Sequence, residues 1–320
     1  MMDDPGIGLA AAEGVLTLVA PQGVRWSEHL DTARRALIAA GARALCDRSG
    51  AAGVFDPAHG SLVASVALDL GFTGLDPQVA QAVVAAQFGN ARIDLLAQSI
   101  AERPRALLVA DLESTVIENE MLDEMAAHIG RGPEVAAITA QAMRGELDFE
   151  ASLEARLRWF QGQPRSLLDV AASAIRLSPG ARTLLAGVRA AGITSALVSS
   201  GFHHFADPIA QQLGFDQVFA NRLEIVDGRL TGRAVPPILG RDAKRQRLRS
   251  LCAELAIDTC RVIAVGDGAN DLAMLAAAGL GIAYRAKPAV RQAARASIDH
   301  TGLDSLLFFL GLVARSPHPG

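Results

Sequence analysis

Four short apolar runs, at 106–112, 193–199, 261–266 and 279–284, alternate with helix-patterned stretches over the last two thirds of the chain. Runs this short and this continuously apolar are buried on both faces, and a parallel sheet packed between helices provides that burial. The expected fold class is therefore α/β, an open, doubly wound, mostly parallel sheet. In such sheets ligands bind at the carboxyl ends of the strands. The stretch between the first two runs is too long for a single crossover and is helical by pattern, so an inserted helical cap is expected at about 118–178.

The N-terminal part follows another rhythm. Strand patterns at 14–20, 62–70 and 91–98 alternate with helix patterns at 27–40 and 76–86. Asp76-Pro77 opens the second of these helices with a cap residue and a proline at its first turn. Residues 43–55 are the candidate for a further strand, weakened by their glycines. The resulting strand–helix–strand–strand–helix–strand order suggests a split βαβ sheet. The polar break at Glu102-Arg103-Pro104-Arg105 divides the two patterns, giving expected domains at 1–102 and 103–320. A tight hairpin is expected within 221–234, turning at Asp227-Gly228.

The formal net charge of −4 argues against a nucleic-acid partner, which needs a basic face. The three cysteines, Cys46, Cys252 and Cys260, are odd in number and form no CxxC pair. A disulfide framework or zinc site is not expected, and a reducing cytoplasm is. Cys252 and Cys260 read as packing residues. The N-terminal Met-Met-Asp-Asp is acidic where a secretory signal needs positive charge. The apolar stretch 305–314 is too short to span a bilayer and reads as a C-terminal core helix, so no membrane partner is expected.

Three strand ends carry polar residues: Asp111-Leu112-Glu113-Ser114-Thr115, Ser199-Ser200-Gly201, and Gly266-Asp267-Gly268-Ala269-Asn270-Asp271. One acidic strand end is ordinarily a helix cap. Three in succession, with Lys244 between the second and third, point to phosphate chemistry. A carboxylate attacking a phosphate monoester is repelled by it, so a cation must screen both. Asp111 and Asp267 can share one Mg²⁺. Ser199, Ser200 and Gly201 can turn backbone N–H groups and a hydroxyl toward phosphate. Lys244 supplies a compact positive charge. Glu113 can give a proton to the leaving oxygen and then take one from water.

These four segments together resemble the motifs of the haloacid dehalogenase superfamily of phosphatases, over about residues 105–310. Within that superfamily the chain is similar to the branch that acts on L-phosphoserine. The resemblance implies a nucleophilic Asp111, a catalytic Lys244 and acid/base Glu113. It also implies a Mg²⁺ site of Asp111, Asp267 and the backbone carbonyl of Glu113, with Asp271 in support and Asn270 on the substrate side. Glu120 matches the family glutamate nine residues after the nucleophile, which meets the substrate amino group. The segment MRGELDFEASLEARL matches the family cap, where Met143 and Phe149 line the pocket and Arg156 pairs with the substrate carboxylate. A phosphorylated amino acid is thus the implied small-molecule substrate, and hydrolysis to L-serine the implied last step of serine synthesis.

Plain alternatives stand beside each assignment. Glu120 also reads as a solvated helix residue, Arg156 as a member of an exposed ion pair with Glu154 or its neighbours, and Met143 and Phe149 as cap core. Asp148 and Ser152 read as stabilisers of cap helices, and His203 and His204 as a helix start. The chain also departs from the family pattern at two places. Glu113 stands where the family has Asp, one methylene shorter, and Ser200 stands where it has Gly, which is costly if that position is left-handed. Two further readings follow: a phosphatase for another small phosphomonoester, or a weakened regulatory homologue. The N-terminal segment resembles an ACT-like domain by pattern and position. Serine sensing and support of a homodimer are the two roles open to it.

Overall fold

The structure, a computed structural model, describes residues 11–48, 55–56, 61–62, 65–143 and 146–312. Its contacts divide the chain into two compact units. One is built on the chain up to Ala106 together with Pro179–Ile193 and the segment from Arg295 onward; the other comprises Leu107–Ser178 and Thr194–Ala294.

The first unit contains β1 (Gly14–Pro21), β2 (Ala44–Arg48), a short ribbon of β3 (Phe55–Asp56) and β4 (Ser61–Leu62), then β5 (Ser65–Thr73) and β6 (Asp94–Ser99). Its main sheet runs β2-β5-β1-β6, with every neighbouring pair antiparallel. Along the chain the main-sheet strands and the two helices follow the expected strand–helix–strand–strand–helix–strand sequence, with β2 as the further strand. Helices Trp26–Ala39 and Pro77–Phe88 cover one face, packing Ala33, Leu37, Ala80 and Val84 onto Leu16, Leu18 and Leu70. Asp76 caps the second helix by accepting from Gln78 N and Val79 N.

The other face is buried as well, since Val15, Thr17 and Val19 are inaccessible to solvent. Thr17 Oγ1 donates to Asp69 Oδ1 at 2.6 Å, and Arg103 pairs with Asp69 Oδ2 at 2.8 Å. The same guanidinium donates to the carbonyls of Phe308 and Phe309, at the end of helix Ser305–Leu310, and that helix packs against β1. Residues 179–193 and 295–312 therefore group with the N-terminal sheet, whereas the sequence pattern places them in a domain spanning 103–320.

In the second unit, β7 (Leu107–Ala110), β8 (Thr194–Phe202), β9 (Gln217–Val226), β10 (Arg229–Val235), β11 (Val262–Gly266) and β12 (Leu280–Tyr284) lie in the order β10-β9-β8-β7-β11-β12. Only the β9–β10 pair of this run is antiparallel. Leu107, Val109, Ala196, Val198, Val262 and Ala264 form a core with Leu248 and Leu251 of helix Arg241–Glu254 and Met274 and Leu275 of helix Leu272–Ala277. The β9–β10 hairpin turns at Asp227 and Gly228, with φ of 49° and 73°. Two successive left-handed residues are what a tight hairpin with the ordinary strand twist requires.

The inserted cap holds helices Met121–His128, Gly132–Met143, Phe149–Leu157 and Ser166–Ala172. Asp148 caps the third by accepting from Ala151 N at 2.8 Å. The cap is stitched to the hairpin by backbone bonds from Gly162 N to Leu230 O (2.8 Å), Leu230 N to Gln163 O (2.9 Å) and Arg165 N to Gly228 O (2.8 Å). No helix among the described residues is long and apolar enough to cross a membrane. Cys46 and Cys252 are buried, but Cys260 is exposed rather than packed.

Candidate active site

The four apolar residues of β7 are fully buried, which fixes the strand in the sheet and delivers Asp111 at its carboxyl end. Asp111 N donates to Val265 O at 3.0 Å, extending the ladder with β11 by one residue. The side chain of Lys244, in the first turn of helix Arg241–Glu254, is 0% exposed and reaches between two carboxylates. Its Nζ lies 2.7 Å from Asp111 Oδ1 and 2.6 Å from Asp271 Oδ1. The other oxygen of Asp271 accepts from Asp267 N (3.2 Å) and Gly268 N (2.9 Å), so both its oxygens are engaged by the protein. Asp111, Asp267 and Asp271 each place one oxygen within 4.8 Å of the others.

The chain leaves Asp111 in a wide turn closed by Ile117 N donating to Leu112 O at 2.9 Å. Ser114 sits in it with φ 54°, an uncommon conformation for a residue with a side chain. That conformation accompanies a 2.7 Å bond from Ser114 Oγ to Glu120 Oε1. Glu113 does not join the carboxylate cluster. Its Oε1 accepts from Met121 N at 3.0 Å, and its Oε2 stands beside Gly201. Ser199 is buried, and its hydroxyl accepts from Gly201 N at 2.9 Å. Ser200 lies within β8 and is not left-handed, so the strain considered for serine there does not arise. Asn270 is half-buried in the loop after β11, its Oδ1 against the backbone of Gly268.

Three carboxylates around one ammonium leave an excess of negative charge. Burial, and then the charge of Asp271, hold the Asp111 carboxyl well above its ordinary range. Burial and Asp271 likewise push Asp267 up to about 7. Burial opposes the charge of Lys244, but Asp111 and Asp271 outweigh it and raise that group above its ordinary value. Glu113 is pushed up to about 8, by burial first and by nearby Glu120 second. A carboxyl that keeps its proton near neutrality is suited to general-acid work. The donor set is all hard oxygen with surplus negative charge, which suits a hard divalent cation.

From the cap, the ring of Phe149 packs against Gly240, immediately before the Lys244 helix; a methyl carbon on Gly240 would lie 3.0 Å from its Cδ1. Arg156 is half-buried, donates from Nε to Ser152 O of its own helix, and acts electrostatically on Glu113. Glu154 pairs instead with Arg158 at 2.8 Å. Met143 ends its helix, and its side chain lies outside the described residues. His203 starts helix His203–Leu213, its Nδ1 2.7 Å from Asp207 Oδ1 and its Nε2 accepting from Ala220 N.

Two residues outside the motifs hold the site together. Asn221 is buried; its Nδ2 donates to Ser200 O at 2.7 Å and its Oδ1 accepts from Leu239 N at 2.6 Å. One amide thus ties the end of β8 to the loop that leads into the Lys244 helix. Asn119 is buried on the linker entering the cap, where its amide bonds Ala174 O and Arg176 N of the linker leaving it. The sequence signal for either would be an asparagine next to an expected element boundary, and many surface asparagines share it.

A family profile described as haloacid dehalogenase-like hydrolase matches residues 108–276, just over half the chain. A phosphoserine phosphatase of Streptomyces coelicolor is 42% identical over 248 residues, covering 77% of this chain and 60% of that protein. The chain thus spans less than two thirds of that relative's length. A phosphoserine phosphatase of Lactococcus lactis is 42% identical over 210 residues, covering 66% of this chain and 97% of the relative. Among solved structures, a HAD-family hydrolase of Salmonella enterica serovar Typhi superposes with a TM-score of 0.81 at 29% identity, covering 92% of this chain and 98% of that one.

Proposed function

Since the chain belongs to the haloacid dehalogenase-like hydrolase family, we propose that it hydrolyses L-phosphoserine to L-serine and phosphate through a phosphorylated Asp111. The observation that carries this is the buried Lys244 ammonium bonded to both Asp111 and Asp271, with an oxygen of Asp267 clustered beside those carboxylates. Lys244 fixes the orientation of the Asp111 carboxylate and leaves one of its oxygens to attack. That oxygen forms a bond to phosphorus while the bond from phosphorus to the serine oxygen breaks. Glu113 gives the departing serine oxygen its proton. Water then attacks the phosphorus of the aspartyl phosphate, Glu113 takes the proton back, and phosphate leaves with Asp111 restored.

Asp111, Asp267 and the backbone carbonyl of Glu113 would hold Mg²⁺, which when bound screens the negative charge of nucleophile and phosphate. Both oxygens of Asp271 are engaged, one by Lys244 and the other by two backbone N–H groups, which suits it to a supporting role beside them. Ser199, Ser200, Gly201 and Asn270 line the phosphate side. Glu120 meets the substrate ammonium and Arg156 its carboxylate, a pairing of opposite charges that suits a zwitterion. Met143 and Phe149 flank it.

The test is phosphate release from phosphoserine, phosphothreonine and phosphate esters lacking amino and carboxylate groups, with Mg²⁺ and with a chelator. Metal-dependent turnover selective for phosphoserine is expected. Preference for a simple ester would favour the broader phosphatase reading, and no turnover at all would favour the regulatory one.

A further inference from the structure

Two linkers bound the cap, and they run antiparallel at its base. Ser178 N donates to Val116 O at 2.9 Å and Glu118 N to Arg176 O at 2.8 Å, two rungs of a miniature ladder. Beyond them the side chain of Asn119 continues it: Arg176 N donates to Asn119 Oδ1 at 2.8 Å, and Asn119 Nδ2 donates to Ala174 O at 3.2 Å. The amide stands where a peptide group would stand if the backbones stayed together. Its Nδ2 also donates to Glu124 Oε1 at 2.5 Å, on the first cap helix.

The residue that follows is Glu120, and it is tied to the nucleophile's own turn. Ser114 N donates to Asn119 O at 3.4 Å, Ser114 Oγ to Glu120 Oε1 at 2.7 Å, and Met121 N to Glu113 Oε1 at 3.0 Å. Bonds before, at and after Glu120 thus run to residues 113 and 114. Arg156, by contrast, sits on helix Phe149–Leu157 and donates to Ser152 O of that same helix.

Building on the phosphoserine reading, we propose that Asn119 is a positioning residue that holds Glu120 with the nucleophile's turn, so that the substrate ammonium is read by a group fixed beside Asp111 while its carboxylate is read by a group carried on the cap. Asparagine suits the role because it accepts and donates at once. Aspartate loses both donated bonds, and alanine loses all three.

The experiment compares kcat/KM for L-phosphoserine with that for 3-phosphooxypropanoate, the same ester without its amino group, at saturating Mg²⁺. The ratio of the two should fall by roughly 10- to 100-fold in Asn119→Ala, the worth of a displaced charged hydrogen bond, with the deamino ester close to the parent. Asn119→Asp should fall similarly, and adding Glu124→Gln should recover part of the ratio, because the glutamine amide can donate to the new carboxylate. Equal losses on both esters would overturn the proposal and leave Asn119 a hinge residue. Failure of every Asn119 variant to fold, tested by circular dichroism, would overturn it in favour of a purely structural role. A parent indifferent to the amino group would refute both the phosphoserine reading and this one, whereas a selective parent whose variants stay selective would refute this one alone.

Discussion

Glu113 and Gly201 compete for one space: a methyl carbon on Gly201 would lie 3.0 Å from Glu113 Oε2 and 3.1 Å from Ser199 Oγ. The methylene that Glu113 has over an aspartate is accommodated because position 201 carries no side chain. Gly201→Ala should therefore displace the Glu113 carboxyl and slow phosphoserine hydrolysis, up to the 10²–10⁴-fold or so that general acid catalysis is worth. Glu113→Asp should relieve the crowding, so the double variant loses less than the two single changes predict. A double-mutant cycle on kcat checks this, and strict additivity would contradict it. The leaving serine alkoxide needs a proton that an acidic phenol does not. Glu113→Gln should accordingly slow phosphoserine much more than a phenyl phosphate in the first turnover.

Lys244 is buried between two carboxylates, and removing one member of a buried ion network leaves the rest uncompensated. Lys244→Met should abolish turnover and destabilise the metal-free protein by about 3–5 kcal/mol. Urea unfolding measures it. Adding Asp271→Asn should return part of the stability and none of the activity.

Asp304 lies in the first unit, fully buried against Gly180 and Gly302, and neither carboxyl oxygen has a hydrogen-bond partner among the described residues. Burial pushes its carboxyl up to about 6. The folded state therefore binds this proton more tightly than the unfolded chain, where the group titrates near 3.8. Its favourable contribution is complete below about pH 4 and is lost as the pH rises through 6. Asp304→Asn should thus stabilise the protein at pH 8 by the order of 2–3 kcal/mol and make little difference at pH 4. Melting curves at the two pH values check the sign; a larger gain at the lower pH would contradict it.

Much of the site was legible because its residues sit where short apolar runs end, and strand ends in a parallel sheet converge. Asp111, Lys244, Asp267 and Asp271 all meet within the second unit. The hairpin at Asp227-Gly228 was legible from its turn residues. The grouping of 179–193 and 295–312 with the N-terminal sheet was not. Helix Ser305–Leu310 is buried at every position, so its pattern reports burial without saying which element it covers. The bonds of Asn119 were hidden for a different reason: they reach Ala174 and Arg176, more than fifty residues away in sequence. Nor does composition show that the extra methylene of Glu113 points toward Gly201 rather than into the carboxylate cluster.

Arg156 has no carboxylate bonded to it among the described residues, Glu154 being taken by Arg158. Arg156→Ala should raise KM for phosphoserine by roughly tenfold or more, the worth of a charged hydrogen bond, and change KM little for an ester lacking a carboxylate. Equal changes on both esters would make Arg156 a structural residue of the cap.

Acid-quenched turnover of ³²P-labelled phosphoserine tests directly whether Asp111 carries the phosphoryl group. In the presence of Mg²⁺ the quenched protein should hold label on the peptide containing Asp111, the label should be lost in hydroxylamine as an acyl phosphate is, and Asn at position 111 should remove it together with turnover. Steady turnover in a verified Asp111→Asn variant, or label on any other residue of an active protein, would refute the route through a phosphorylated Asp111.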